Sequence, residues 1–268
     1  MTDMSDYSEI YCPLSLKGIA ASITSALGVD APAEAEAPLD MMLKFIEGKG
    51  IDRVLMYNPD AVALWLFEKY TDIFAPVMLN TQLTLPLQTV MPSVTPVCFA
   101  TMYTGAEPDI HGIKAYRKPV VKTDSVFDAL IRAGKKPCIV STGEDSMSKI
   151  FLERDMDYFI VDTPDEANKK AIELIKQDKY DLICVYNANY DSTMHKVGPE
   201  GEEAIEALKH NTAAFATLAQ AVKEYQPHRK TLIGFAPDHG CHEIDGVSGS
   251  HGLMMPEDMN IIHFYGVI

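Results

Sequence analysis

The sequence predicts an α/β protein, a three-layer α/β/α sandwich around a largely parallel central sheet. From about residue 53 onward, short apolar runs alternate with segments that have the apolar period of amphipathic helices. The composition, 47% hydrophobic and 23% charged residues, is that of an ordinary globular protein. Strands that alternate with helices pair in parallel and place helices on both faces of the sheet. The 268 residues are therefore predicted to form one domain, 1–268.

The first 48 residues are predicted to form an acidic helical extension of this domain. They hold eight acidic residues against Lys17 and Lys44. The Ala/Pro/Glu stretch over 30–38 has the composition of an exposed turn or linker, and it separates two short helical segments.

The remaining elements follow from local pattern. Runs rich in β-branched residues and bounded by turn residues predict strands. Apolar residues at helical spacing predict helices, as at Ile205, Leu208 and Phe215. In chain order we predict strand 53–57, helix 61–70, strand 87–94, helix 95–103, helix 124–133, strand 137–141, strand 158–161, helix 165–177, strand 182–186, helix 201–225, strand 231–236 and strand 260–265. Ordinary strand and helix units fill 105–191, so no large cap insertion is expected.

Charge and cysteine usage exclude several classes of protein. The 23 Lys and Arg against 38 Asp and Glu give a net charge of -15, which repels nucleic-acid backbones and anionic membrane surfaces. Small anionic substrates stay compatible with this charge, because bound cations reverse the local field. The N-terminal residues lack the pattern of a secretory signal, and no apolar run approaches the roughly 18 residues of a membrane span. The five cysteines are odd in number and widely spaced, which predicts reduced thiols and a cytoplasmic location.

Polar groups follow the predicted strands at the positions where ligands bind in this class of fold. Ligands of open α/β sheets lie beyond the carboxyl ends of the strands. Three of the eight histidines also fall within thirteen residues near the C-terminus. The four groups are Asn58-Pro59-Asp60, Asp191-Ser192-Thr193-Met194-His195, Asp238-His239-Gly240 and Ser250-His251-Gly252.

Together these groups predict a site for two divalent metal ions. Carboxylates and neutral imidazoles are ligands that Zn²⁺ and Mn²⁺ accept, and two adjacent ions need about six such groups. Taken singly, an Asp after a strand is more often a turn or helix cap than a ligand. The set is a stronger indication than its members, and it comprises Asp60, Asp191, His195, Asp238, His239 and His251.

Thr95 is a candidate nucleophile, because it lies between a predicted strand and an apolar helix. The N-terminus of a helix favours an anion through its free amides and dipole. An N-cap Thr followed by Pro96 has the same local pattern, so a purely structural cap remains the alternative. A metal that stabilises the alkoxide would make a threonine hydroxyl nucleophilic.

These motifs resemble the alkaline phosphatase superfamily, and most closely its nucleotide pyrophosphatase/phosphodiesterase branch, with phosphonoacetate hydrolase also similar. The resemblance extends from Arg53 to the C-terminus. It is carried by 92–105 with its continuation through Pro108 to His111-Gly112-Ile113, by Asp191 to His195 with Gly198-Pro199 after it, and by Asp238-His239-Gly240 and His251-Gly252.

The resemblance implies an alkaline-phosphatase-like fold, two metal ions and a nucleophilic Thr95. Zn²⁺ is the first expectation for the ions and Mn²⁺ the second. The family's first strand usually ends in Asp-Gly, whereas this one ends in Tyr57-Asn58-Pro59-Asp60-Ala61, so Asn58 stays an alternative to the favoured Asp60. Cys98 is a candidate oxyanion or substrate contact, although a thiol is a weak donor. The implied ligand sets are Asp191, His195 and His251 for one ion, and Asp60, Asp238, His239 and the Thr95 oxygen for the other.

The implied activity is hydrolysis of a small anionic phosphate ester, a phosphodiester or a nucleotide pyrophosphate, through a phosphothreonine intermediate. A phosphomonoester or phosphonate hydrolase of the same superfamily and a non-catalytic metal-binding relative are the alternatives. A sulfatase is disfavoured, because the residues around Cys98 lack the Cys/Ser-x-Pro-x-Arg pattern.

Overall fold

A seven-stranded sheet forms the centre of the protein in the computed structural model, which describes residues 11–268. The first ten residues of the predicted acidic extension therefore lie outside the described residues. The strands of residues 11–268 are β1 Arg53–Pro59, β2 Leu83–Gln88, β3 Pro137–Thr142, β4 Asp157–Val161, β5 Leu182–Asn187, β6 Thr231–Phe235, β7 His242–Ile244, β8 Ser248–Ser250 and β9 Asn260–Val267. Strands β7 and β8 form a separate hairpin, and the other seven form the sheet.

Twelve α-helices are found within residues 11–268, together with two short 3₁₀ helices, Leu16–Gly18 and Thr71–Phe74. The α-helices are α1 Ile19–Ala26, α2 Asp40–Ile46, α3 Leu64–Lys69, α4 Ala75–Met78, α5 Thr95–Thr104, α6 Pro108–His111, α7 Val126–Arg132, α8 Ser146–Ile150, α9 Pro164–Gln177, α10 Asn189–Val197, α11 Glu202–Tyr225 and α12 Pro256–Met259.

The sheet confirms the predicted α/β fold with a largely parallel centre. Its strand order is β2-β9-β6-β1-β5-β3-β4. The five strands from β6 to β4 are parallel, whereas β9 runs antiparallel to both β6 and β2. The carboxyl ends of β1, β5 and β6 therefore meet at one edge, and the start of β9 lies beside them.

The alternation of side chains along each strand divides the core into two layers. In β1, Val54 and Met56 face the layer that contains α1 and α5, while Leu55 and Tyr57 face the layer that contains α9 and α11. Strands buried on both faces read as nearly continuous apolar runs, which is why the central strands were recognisable from the sequence.

The helices of residues 11–48 belong to the core of the domain. Ile19, Ile23 and Met42 have no exposed surface and pack in the same layer as α5. The stretch predicted as an exposed turn places Ala35 against the end of α5. Gly105 has φ +73°, and a Cβ there would lie 2.6 Å from the Ala35 Cβ, so this close approach requires glycine.

Several local predictions were wrong. The strand predicted at 87–94 is β2 at Leu83–Gln88, and the residues after it leave the sheet and lead to α5. β2 is an edge strand, so Pro86 is tolerated inside it. A lone histidine usually lies at the surface, whereas His111 and His263 are 5% and 0% exposed. Helix α10 and the β7–β8 hairpin were not predicted.

All five cysteines are free thiols in the structure, and four of them are buried. Among residues 11–268, no helix has both the length and the apolar character needed to cross a membrane.

Candidate active site

The carboxyl edge of the sheet brings together all six predicted metal ligands and Thr95. Asp60 follows β1 directly, and its backbone N–H donates to the Asn187 carbonyl at the end of β5, at 3.0 Å. Asp238 and His239 follow β6. The remaining ligands come from α10 and from the segment after β8.

Asp60, Asp238 and His239 form a group that we call the buried cluster. The His239 Nε2 atom lies 3.3 Å from Asp60 Oδ1 and 3.4 Å from Asp238 Oδ2. No side chain of the three is more than 2% exposed. One ligand atom from each residue lies within 4.8 Å of the others, which is close enough to share one ion.

Asp191, His195 and His251 form a second group, the outer cluster. The i, i+4 spacing on α10 places Asp191 and His195 on one face of that helix. Asp191 Oδ1 lies 3.3 Å from Nε2 of each histidine, and the two Nε2 atoms are 3.2 Å apart. The His239 and His251 rings stack with centroids 4.1 Å apart, so the two clusters adjoin.

Backbone carbonyls fix the orientation of all three histidines. His195 Nδ1 lies 2.8 Å from the Gly249 carbonyl, His251 Nδ1 lies 3.1 Å from the Ser93 carbonyl, and His239 Nδ1 lies 2.9 Å from the Gly240 carbonyl. A carbonyl can only accept, so each Nδ1 carries the hydrogen and each Nε2 presents its lone pair to the site when the ring is neutral. This is the arrangement of metal-binding histidines.

Three carboxylate oxygens in the two clusters are buried without a hydrogen-bond partner. They are Asp60 Oδ1, Asp238 Oδ2 and Asp191 Oδ1. Buried polar atoms in proteins are nearly always satisfied, so each unsatisfied atom requires an explanation. Divalent ions on these oxygens and on the facing imidazoles would supply it, and the residues therefore fit two metal ions.

The buried cluster is electrostatically unfavourable without a cation. Burial raises the pKa of Asp60 well above its usual range, and the charges of Asp238 and Asp191 raise it further. Burial likewise raises the pKa of Asp238 and lowers that of His239. Two carboxylates in a site closed to water need positive charge from another source.

The outer cluster balances its own charge. Burial would raise the pKa of Asp191, but the facing imidazoles of His195 and His251 lower it overall. The facing Asp191 carboxylate raises the pKa of His195 to about 9. Burial lowers the pKa of His251, but the Asp191 carboxylate raises it by more, so this pKa is raised overall. The outer cluster therefore favours positive charge at the position where a cation would bind, and protons compete with a metal ion for the two imidazoles.

Thr95 is the first residue of α5, and its hydroxyl faces the buried cluster. Thr95 Oγ1 lies 3.2 Å from His239 Nε2 and 3.4 Å from Asp60 Oδ2. The N-cap residue is Val94, and no side chain caps the helix. Thr95 is therefore not the N-cap of α5.

The turn after β1 decides between Asn58 and Asp60. The Asn58 amide donates to the Ala236 carbonyl at 2.8 Å and accepts from the Tyr103 hydroxyl at 2.7 Å, so it is fully used in the core. Asp60 lies in the buried cluster. Ala61 after it has φ +64°, the left-handed conformation that a glycine would adopt more easily.

The Cys98 thiol lies one turn after Thr95 and has no exposed surface. Its Sγ is 3.9 Å from the Val90 carbonyl oxygen, and burial raises its pKa. Its suggested role as an oxyanion or substrate contact stays a prediction.

One tyrosine beside the buried cluster was missed by sequence reasoning. The Tyr186 hydroxyl donates to Asp60 Oδ2. The position of Tyr186 at the end of β5 was a usable signal.

Comparison with known proteins identifies the family of the chain. A family model described as type I phosphodiesterase / nucleotide pyrophosphatase matches residues 66–133 and 142–260. The chain belongs to this family. A comparison with curated protein sequences gave no match.

Three solved structures share the fold. Murine ectonucleotide pyrophosphatase/phosphodiesterase 5 is 15% identical, with 71% of this chain and 57% of that chain covered and a TM-score of 0.58. An inactive variant of it in complex with AMP gives a TM-score of 0.59 at the same identity and coverage. Phosphonoacetate hydrolase from Sinorhizobium meliloti 1021, in complex with phosphonoformate, is 14% identical over 73% of this chain and 59% of that one, with a TM-score of 0.55. The chain thus spans less than two thirds of the length of these proteins.

Proposed function

We propose that the protein is a two-metal-dependent hydrolase of phosphate esters that cleaves phosphodiester or nucleotide pyrophosphate bonds through a phosphothreonine intermediate. The observation that carries the proposal is the convergence of three imidazole Nε2 atoms, three unpartnered carboxylate oxygens and the Thr95 hydroxyl. Membership of the type I phosphodiesterase family supports it.

The residues of the two clusters would hold the ions. The outer cluster supplies one set of ligands, and the buried cluster together with the Thr95 oxygen supplies the other. Three nitrogen and three carboxylate donors suit Zn²⁺ first and Mn²⁺ second. Bound ions would supply Lewis-acid stabilisation of negative charge on the nucleophile, the phosphoryl oxygens and the leaving group.

Thr95 is the proposed nucleophile. Its oxygen would form a bond to phosphorus while the bond from phosphorus to the leaving oxygen breaks, which gives phosphothreonine and the free leaving group. Water would then add to phosphorus and release the Thr95 hydroxyl. In the structure the hydroxyl lies 3.2 Å from His239 Nε2 and 3.4 Å from Asp60 Oδ2, so these two groups hold it in place before attack.

The first turn of α5 offers few donors to a phosphoryl oxygen. Pro96 has no N–H, and the N–H groups of Val97 and Cys98 both donate to the Val94 carbonyl at 3.0 Å. The Thr95 N–H is the amide of this turn that can meet an oxyanion. Oxyanion stabilisation would therefore depend strongly on the residues that hold the ions.

A phosphonate or phosphomonoester hydrolase is the second candidate. The similarity in fold to a phosphonoacetate hydrolase bound to phosphonoformate favours it. The same clusters and Thr95 would be used, and the substrate would differ in the group attached to phosphorus.

We also propose that residues 1–268 form one catalytic domain, because 105–191 folds into ordinary elements of the sheet and its covering helices.

The test is a panel of phosphate monoesters, diesters, pyrophosphates and phosphonates, assayed after chelation and reconstitution with Zn²⁺ or Mn²⁺. Preference for diesters or pyrophosphates supports the main proposal, and preference for monoesters or phosphonates supports the second.

Thr95→Ala should lose most activity and keep both ions, while Thr95→Ser should retain part of the activity. Thr104→Ala, which removes a hydroxyl from the last turn of the same helix, is the matched control. No turnover of any ester by metal-loaded protein would leave a non-catalytic metal-binding protein.

A further inference from the structure

Tyr186 lies against the buried cluster from the side of α5. It is the penultimate residue of β5, is paired in register with Asn58 of β1, and is 3% exposed. Its hydroxyl donates to Asp60 Oδ2. The two residues are 126 positions apart in sequence, so only the register of β1 and β5 brings them together.

The Tyr186 ring is held by the helix that carries Thr95. Phe99, four residues after Thr95, packs edge-on against it with centroids 5.3 Å apart and an interplanar angle of 86°. The hydroxyl is thus fixed at one end by its acceptor, and the ring is fixed by α5. Edge-to-face contacts of this kind have a defined geometry.

The hydrogen bond leaves the two oxygens of Asp60 in different situations. Oδ2 accepts from Tyr186 and also from Thr95, at 3.4 Å in the second case. Oδ1 is buried with no hydrogen-bond partner and lies 3.3 Å from His239 Nε2. The carboxylate is therefore turned so that one oxygen is held and the other faces the cluster.

We propose that Tyr186 is a positioning residue that fixes Asp60 through Oδ2, so that Oδ1 serves as the ligand atom for an ion in the buried cluster. This inference rests on the proposed function only in that the buried cluster binds a metal ion. Hydrogen bonds to ligating carboxylates and histidines orient them, and removing such partners typically weakens metal binding by about 10- to 100-fold. Tyr186 and Thr95 both contact Asp60 Oδ2, so the phenol also positions this oxygen beside the Thr95 hydroxyl.

The experiment measures Zn²⁺ binding to the chelator-treated full chain by competition with a chromogenic chelator. Tyr186→Phe keeps the ring and its contact with Phe99 and removes the hydroxyl. Tyr103→Phe is the matched control, because it removes another buried hydroxyl, donated to Asn58, from a ring that also stacks on Phe99. An Asp191→Ala background isolates the buried cluster, and an Asp238→Ala background isolates the outer one.

We expect Tyr186→Phe to weaken Zn²⁺ binding by about 10- to 100-fold in the Asp191→Ala background and by less than about twofold in the Asp238→Ala background. Tyr103→Phe should change neither. Co²⁺ bound in the Asp191→Ala background should show an altered visible spectrum with Tyr186→Phe, since the carboxylate ligand is no longer held.

Three results would overturn the inference. These are unchanged affinity in Tyr186→Phe, equal losses at both clusters, and a loss matched by Tyr103→Phe, which would indicate general loosening of the core. Binding is read without turnover, so a protein that binds two ions and hydrolyses nothing contradicts the proposed function and leaves this inference standing. A wild type that binds no Zn²⁺ overturns both.

Discussion

Asp238→Asn should stabilise the metal-free protein while reducing its response to metal. Asp238 Oδ1 accepts from the Ala61 N–H at 3.3 Å, and its Oδ2 is buried without a partner beside Asp60. Asparagine has nearly the same shape. It would keep the acceptor for Ala61 and place an N–H₂ group where it can donate to the unpartnered Asp60 Oδ1.

The magnitude follows from the unsatisfied atoms. A buried polar atom without a hydrogen bond costs about 1–3 kcal/mol, so the metal-free variant should exceed the metal-free wild type by about that amount at pH 8. The pKa of Asp60 and that of Asp238 are raised, so the folded wild type binds more protons than the unfolded chain. The contribution of these two carboxyl groups to metal-free stability is therefore full at low pH and is lost as the pH rises through their raised pKa values, which makes pH 8 the informative condition.

Metal binding narrows or reverses the difference in stability between the two proteins. An ion at 100 times its dissociation constant stabilises the folded state by about 2.7 kcal/mol per site. At roughly 2–4 °C per kcal/mol for a chain of this size, each occupied site raises the Tm by about 5–10 °C. Asp238→Asn should lose most of the rise in Tm that metal binding at the buried cluster causes, and it should keep the rise caused by the outer cluster.

Scanning calorimetry of chelated protein with and without Zn²⁺ measures both effects. Asp258→Asn is the control, because this equally buried carboxylate is satisfied by His242 Nδ1 at 2.7 Å and by the Leu253 N–H at 2.8 Å. An asparagine there loses the charge-assisted hydrogen bond with His242 Nδ1, so the variant should lose about 1–3 kcal/mol and keep the metal response. If both variants are destabilised alike and the metal response of Asp238→Asn equals that of the wild type, the metal-site interpretation is refuted.

Three further predictions concern mechanism, pH and packing. Attack by Thr95 followed by water requires two in-line inversions, so a substrate chiral at phosphorus should give net retention, and inversion would exclude Thr95 as the nucleophile. Burial lowers the pKa of His263 to about 4, so its contribution to stability is full above about pH 6.5 and is lost as the pH falls toward 4, by at most about 3 kcal/mol. Urea unfolding at pH 7 and pH 5 should show this loss in the wild type and less of it in His263→Gln. A Cβ at Gly240 would lie 2.0 Å from the Glu257 carbonyl oxygen, so Gly240→Ala should lower the free energy of unfolding by about 1–3 kcal/mol and weaken Zn²⁺ binding. A Cβ at Gly143 would have no atom nearer than 3.9 Å, so Gly143→Ala should change neither stability nor Zn²⁺ binding in the same melting and binding assays.

The sequence alone determined the class of fold and the composition of the candidate site. Strands buried on both faces leave continuous apolar runs, and the polar residues directly after them must lie at the carboxyl edge of a parallel sheet. Asp60 and Asp238 were predictable for that reason, although the choice of Asp60 over Asn58 needed the structure. Asp191 and His195 were predictable as a pair by their spacing, even though the helix that carries them was not.

The tertiary structure decided everything that depends on contacts between distant segments. The carbonyl partners of His195 and His251, which orient both rings, lie 54 and 158 residues away in sequence. The burial of His263, the displaced edge strand with Pro86, and the packing of Ile19 under α5 likewise depend on neighbours that no local pattern encodes. The hydrogen bond from Tyr186 to Asp60 has the same origin, because the pairing register of β1 and β5 sets the distance between them. Local sequence fixes which side chains point to one edge, and the packing of strands and helices fixes which atoms of those side chains meet.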